Sequence, residues 1–526
     1  MCSAAFRERV RAIAAVAVAV LAPSVGAIPS PALAAADVTQ VRVEGGIVQG
    51  VMSPPGAAVA SGIVSFKGIP YAAPPVESLR WRAPQPPATW SGVRRADEYG
   101  ASCPQEAPPR FVASQSALTM SEDCLTLNVW TPVMRDRPLP VMVWLHGGGN
   151  DAGTGSQTFY DGSAFARDGV VLVTLNYRLG LLGFFAHRSL RTGVPDGEFA
   201  NYGLLDQIAA LRWVRANIAA FGGDPGNVTL FGESAGAQDA ILLASSEMAR
   251  GLFRRAISES APPLWDSLPA LAQAQASSAA IARSLGLPGN DASAAQLRAV
   301  PVENLLALGG EAELGPIVDG SFIAAQPAVS LKLGLSVPVI IGTDEGDGSL
   351  IGEDADVASL FPGLSAGDLA FVRARYQARG VSGVKGNTAV ARALGSAGFF
   401  AAPARWLATQ TVNAGKPAYL YRFRYIASFF AGRRTTATHG SEIPFVFETF
   451  PPGILSETDR NVADVLHGCW VAFARTGKPD CPGAGPWQPF DPRSGQEMIF
   501  DAHSSVGDPG DNDILDILQR DLPGHS

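Results

Sequence analysis

Residues 228–246 read VTLFGESAGAQDAILLASS. Four residues of strand character, 228–231, run into Gly232-Glu233-Ser234-Ala235-Gly236, and a helical run over 238–246 follows. This is the strand–turn–helix setting that a G-x-S-x-G nucleophile elbow requires. The flanking glycines suit a strained turn where larger side chains would clash. The pattern alone is weak: with 57 glycines in 526 residues, about one chance match is expected. A second match does occur, Gly363-Leu364-Ser365-Ala366-Gly367. It follows Phe361-Pro362 with no strand before it, and Asp368 stands three residues after the serine. Ser365 therefore reads as a helix N-cap with a capping box, and Ser234 as the candidate nucleophile.

Working outward, short apolar runs alternate with longer amphipathic stretches. Residues 139–145 (LPVMVWL), 170–175 (VVLVTL), 228–231 (VTLF), 337–341 (VPVII) and 418–423 (AYLYRF) read as strands buried on both faces. The clearest helical patterns cover 202–219 and 461–476. Alternation of this kind predicts an α/β fold: a large, mostly parallel central sheet flanked by helices. In such sheets function gathers on loops beyond the carboxyl ends of the strands. Residues 41–66 alternate more and predict an antiparallel N-terminal edge. The stretches 262–301 and 353–395 read as insertions covering the site.

The remaining chemistry must come from loops after other strands. A serine hydroxyl needs an adjacent base, and the chain order for this elbow is Ser, acid, His. Of the six histidines, His439, His467, His503 and His525 come late enough. His467 lies inside a helical pattern, and His503 and His525 sit in a polar tail. His439 lies in a loop after the 418–423 strand and precedes Gly440, so it is the candidate base. The strand at 337–341 ends in Gly342-Thr343-Asp344-Glu345-Gly346-Asp347-Gly348. Three carboxylates compete there, and the residues alone do not choose among them. His146-Gly147-Gly148-Gly149 directly follows the 139–145 strand, as an element supplying main-chain N–H donors to an oxyanion does. Ala235, next after the nucleophile, is the further donor.

Composition bounds the rest. The chain is 47% hydrophobic and 17% charged, which supplies a packed core and excludes a disordered class. A net charge of −8 gives no basic surface for nucleic acid. Residues 1–36 read as a secretory signal peptide: Arg7, Arg9 and Arg11, then an apolar run over 12–22, then small-residue cleavage sites. Its net +2 leaves a mature chain of −10. No other run approaches the roughly 18 apolar residues of a membrane span. Four cysteines remain, Cys103, Cys124, Cys469 and Cys481, an even number suited to disulfides in an exported chain. They have no C-x-x-C spacing for a metal, and the chemistry calls for no cofactor.

Several long motifs, in order across almost all of the mature chain, resemble the type-B carboxylesterase/lipase family, relatives of acetylcholinesterase. Residues 66–75 read FKGIPYAAPP, followed by Arg80-Trp81-Arg82-Ala83-Pro84. Residues 122–130 read EDCLTLNVW, 221–236 FGGDPGNVTLFGESAG, 439–447 HGSEIPFVF and 470–479 WVAFARTGKP. The resemblance implies an α/β-hydrolase fold over residues 37–526. It also implies a two-step acyl-enzyme mechanism on a small-molecule ester, with Gly148, Gly149 and Ala235 as oxyanion donors. It implies a Cys103–Cys124 disulfide, leaving Cys469–Cys481 as the second pair. The family often reads G-T-N-x-x-E-G at the acid. Laid on without a gap, this favours Asp347, with Glu345 as the alternative. Two departures bear on specificity. Ala237 and Asp239 stand where relatives usually have Gly and Ser, and no Trp lies between Cys103 and Cys124, which argues against a choline ester. A lipase acting on long acyl chains and a non-catalytic binding member stay as alternatives, and the oligomeric state is open.

Overall fold

The computed structural model describes residues 37–520, apart from 54–61, 107–118, 134, 196–197, 264–267, 310–313, 353–354, 356, 380, 382–385 and 452. The expected signal peptide and His525 lie outside the described residues. Fourteen strands are described: β1 (Gln40–Val43), β2 (Gly46–Gln49), β3 (Val51–Ser53), β4 (Ile63–Pro70), β5 (Val93–Arg95), β6 (Thr126–Pro132), β7 (Leu139–Leu145), β8 (Val171–Leu175), β9 (Gly223–Glu233), β10 (Arg255–Glu259), β11 (Val339–Asp344), β12 (Ala418–Phe423), β13 (Glu497–Phe500) and β14 (Ser505–Gly507). The helices that matter for the site are α1 (Tyr202–Asn217), α2 (Ala235–Ser245), α3 (Gly386–Gly395), α4 (Ala402–Asn413) and α5 (Glu457–Thr476).

Eleven strands form one sheet in the order β14-β13-β12-β11-β10-β9-β7-β8-β6-β4-β3. From β8 to β13 the pairings are parallel, and both ends are antiparallel. The N-terminal edge is thus antiparallel as expected, although β1 and β2 leave it for a small separate sheet with β5. Strands β8, β10, β11 and β12 are buried along their whole length, and β9 from Val228 to Glu233, because helices cover both faces. On β7, Val141, Val143 and Leu145 face a core shared with α1, α2 and α4. Met142 and Trp144 face the opposite core, where Trp470 of α5 packs. That alternation is the period of two expected of a strand.

The order changes direction at β7, which has β8 on one side and β9 on the other. The loops leaving β7 and β9 therefore open side by side, where ligands bind in such sheets. Those are the loops carrying Gly147–Gly149 and Ser234. The two insertions pack differently. In the later one, α3 lies against the turn after β11, with Gly348 N–H donating to Ser396 Oγ at 2.9 Å just beyond the helix. The earlier one packs over Trp81 and Leu181, with Arg80 Nη1 donating to the carbonyls of Arg298 and Val300 at 3.0 and 2.6 Å.

Candidate active site

Ser234 sits between β9 and α2 with φ 55° and ψ −125°, a conformation that costs a non-glycine residue energy. Its neighbours hold it there. Ser234 N–H donates to the Glu259 carbonyl at 2.9 Å, and its own carbonyl accepts from Gln238 N–H at 3.0 Å. The glycines of the motif are needed for contact with β7. A Cβ on Gly232 would lie 2.7 Å from the Leu145 carbonyl oxygen, and one on Gly236 would collide with the same atom. Ala235 opens α2, so its N–H is one of the first-turn donors without an intrahelical acceptor.

β7 delivers the glycine run against this elbow. A Cβ on Gly147 would meet the Ser234 Cβ at 3.0 Å and Glu233 Oε2 at 2.5 Å. Gly148 and Gly149 adopt φ +111° and +68°, which side chains other than glycine resist. The run is anchored at its start, where Tyr177 Oη donates to the His146 carbonyl at 2.7 Å and the two rings stack 4.4 Å apart. Burial pushes the His146 imidazole down to about 4, so it is neutral at pH 7.

The turn after β11 selects among the three carboxylates. Asp347 is fully buried, and its Oδ1 lies 2.7 Å from His439 Nδ1. Its Oδ2 accepts from Ser260 Oγ and from Asp344 N–H, both at 3.0 Å. A carboxylate only accepts, so Nδ1 carries the proton and Nε2 the lone pair of the neutral ring. Glu345 turns away to Arg379, Arg422 and Arg424. Asp344 Oδ2 accepts from Ser441 N–H at 3.0 Å, beside the histidine loop. That loop is also held by Ser349 Oγ, which accepts from His439 N–H at 3.2 Å. The structure thus brings Asp347 and His439 together. Among the described residues no hydrogen bond joins His439 to Ser234 Oγ. His439 Nε2 instead lies 3.0 Å from Glu233 Oε1 without hydrogen-bond geometry.

Sequence reasoning missed how many acids surround this ring. Glu233, Glu259, Asp344 and Glu442 are buried with Asp347. Burial, opposed by His439 and reinforced by Glu442 and Asp347, pushes Glu233 up to about 8. Burial lowers His439, but the Glu233 and Asp347 carboxylates outweigh it and raise the imidazole to about 9. Burial raises both Asp344 and Glu442, and the Glu442 charge raises Asp344 further. Glu259 Oε1 accepts from Trp470 Nε1 at 2.7 Å. Two of these acids were visible as neighbours of the motif residues, Glu233 before Ser234 and Glu442 three after His439. Ser260 had no sequence signal.

The other candidates resolve as structural. Ser365 N-caps a helix over Ala366–Ala378, its Oγ accepting from Asp368 N–H at 3.1 Å. His467 is buried between the Val446 carbonyl and Asp168. His503 is exposed. Disulfides join Cys103 to Cys124 and Cys469 to Cys481. Among the described residues no three of His, Cys, Asp and Glu are arranged to hold a metal ion.

The profile described as the carboxylesterase family matches residues 37–360 and 372–513. The chain belongs to the carboxylesterase family. It is 36% identical over 481 residues to the fumonisin B1 esterase of Sphingopyxis macrogoltabida, covering 86% of this chain and 85% of that protein. It is 35% identical over 498 residues to the phenmedipham hydrolase of Pseudarthrobacter oxydans, covering 89% and 96%. Among solved structures, a PNB esterase superposes with a TM-score of 0.76 at 31% identity, covering 91% of this chain and 99% of that one. The carboxylesterase is a carboxylic ester hydrolase with the α/β-hydrolase fold of these relatives. Among its described residues no helix is long and apolar enough to cross a membrane.

Proposed function

We propose that this carboxylesterase is a secreted serine esterase that hydrolyses small carboxylic esters through Ser234, His439 and Asp347. The observation that carries the reading is the 2.7 Å contact of Asp347 with His439, on a loop beside the strained Ser234 elbow. In the proposed cycle His439 Nε2 takes the Ser234 proton as Oγ attacks the ester carbonyl. The Gly148, Gly149 and Ala235 N–H groups receive the oxyanion, and His439 then protonates the leaving alcohol. Water repeats the sequence on the acyl-enzyme and releases the acid. Asp347 holds the tautomer and stabilises the imidazolium. The 1–36 segment and two disulfides support export.

An activity-based fluorophosphonate probe and a series of p-nitrophenyl esters of increasing acyl length test this reading. Stoichiometric labelling of Ser234 and highest kcat/KM on short acyl chains are expected. No labelling contradicts the serine mechanism. A long-chain preference with activation above substrate saturation replaces the esterase with a lipase.

A further inference from the structure

Asp239 lies in α2, five residues after Ser234, and is fully buried. Its Oδ1 accepts from Asn150 Nδ2 at 3.2 Å, and its Oδ2 from Gln207 Nε2 of α1 at 2.6 Å. No cation contributes to its environment, and burial pushes the carboxyl up to about 7. The Tyr177 phenol is the neighbouring titratable group, beneath the neutral His146 ring. A buried carboxylate facing two amides is an expensive way to fill space, because desolvation is offset only by hydrogen bonds. A smaller neutral side chain would pack there at less cost.

Asn150 explains where that cost is used. It directly follows Gly148 and Gly149, is 1% exposed, and adopts φ +62°, a left-handed conformation that asparagine takes more readily than most other side chains. Its carbonyl accepts from Gly180 N–H at 2.7 Å, which fixes its main chain. Its side-chain amide is fixed by Asp239. The glycine run lies beside Ser234, with Gly148 and Gly149 at positive φ. It is tied at one end by Tyr177 and at the other by an amide that Asp239 receives from inside the nucleophile's own helix.

We propose that Asp239 is a positioning residue: through Asn150 it fixes the main chain of Gly148 and Gly149 relative to Ser234, so that their N–H groups point at the oxyanion. This rests on the serine-esterase reading above. α2 then carries both the nucleophile at its start and the tether that sets the oxyanion donors. A small displacement of such donors costs the transition state and leaves ground-state binding little changed.

The test compares the parent with Asp239→Ala, Asn150→Gly, the double variant and Asp239→Asn on p-nitrophenyl acetate, with inhibition by a trifluoromethyl ketone and thermal melting. Asn150→Gly keeps the left-handed backbone and removes only the amide, so it reads the same tether if Asp239→Ala does not fold. Both single variants are expected to lose roughly 10- to 100-fold in kcat with KM within about twofold, and to weaken the ketone in proportion. The double variant should be no worse than the poorer single, since both remove one contact. Asp239→Asn, which keeps an oxygen for Asn150, should recover most of kcat. Unchanged kcat with a lowered melting temperature, or losses that multiply in the double variant, would overturn the proposal. A Ser234→Ala control separates the two levels. Parent turnover that survives it contradicts the serine reading, whereas Ser234-dependent turnover indifferent to Asp239 and Asn150 contradicts only the tether.

Discussion

Asp347 Oδ1 lies 2.7 Å from His439 Nδ1, while Glu345, two residues earlier, faces Arg422 and Arg424 instead. One turn thus holds two acids with different work. Asp347→Asn should lower kcat by roughly 10³- to 10⁴-fold, because an amide stabilises the wrong tautomer and no cation. Glu345→Gln should leave kcat within about threefold and act on stability through its arginines. Steady-state kinetics of the two variants decide between them, and the reverse ranking contradicts the assignment.

The second carboxylate near the ring sets the acid limb of the pH profile. Glu233 lies 3.0 Å from His439 Nε2, and with Asp347 it raises the imidazole. A raised base stays protonated, and inactive, to higher pH. Activity should therefore fall as pH drops through a value above the ordinary histidine pKa of about 6.5. Glu233→Gln removes one of the charges that hold the proton, so the limb should move to lower pH. A kcat/KM profile unmoved by Glu233→Gln contradicts this coupling.

Burial raises the Asp344 and Glu442 carboxyls in the folded protein. For a carboxyl raised by folding, the folded state binds more protons than the unfolded one above about pH 4. Its contribution to stability is complete below that pH and is lost as pH rises through the folded value. Asp344→Asn replaces one of these two raised carboxyls with a neutral amide that does not titrate. Its melting temperature relative to the parent should be near zero or negative at pH 4 and should climb toward pH 9. A difference that does not vary with pH contradicts a raised carboxyl at Asp344.

Ser365 provides a control for motif reading. Its hydroxyl caps a surface helix through Asp368 N–H. Ser365→Ala should cost about 1 kcal/mol of stability and leave ester hydrolysis unchanged. Urea unfolding and p-nitrophenyl acetate turnover measure both, and a loss of turnover would mean the second G-x-S-x-G serves catalysis.

Much of this was legible because the decisive residues sit where strands end. The alternation of buried runs with helical stretches located β7, β8, β9, β11 and β12 to within a few residues at most boundaries, since apolar periodicity records burial on two faces. Strand β9 extends further back than expected, to Gly223, through a stretch with little strand character of its own. Ser234 was distinguishable from Ser365 by its flanking strand. The acid was not settled by residues alone, because the choice among Asp344, Glu345 and Asp347 depends on which way a five-residue turn points its side chains. The acids around His439 were hidden for a related reason: Glu233, Glu259, Asp344 and Glu442 come from four separate segments, three at the ends of neighbouring strands and Glu442 at a helix start, and only the fold brings them into one buried group. Ser260, which fixes Asp347 from the end of β10, has no motif to mark it.

The most direct test of the account is hydrolysis of p-nitrophenyl acetate by the purified protein beside Ser234→Ala and His439→Ala. Turnover by the parent and its loss in both variants, with circular dichroism unchanged, is the predicted result. Turnover that survives Ser234→Ala would contradict it.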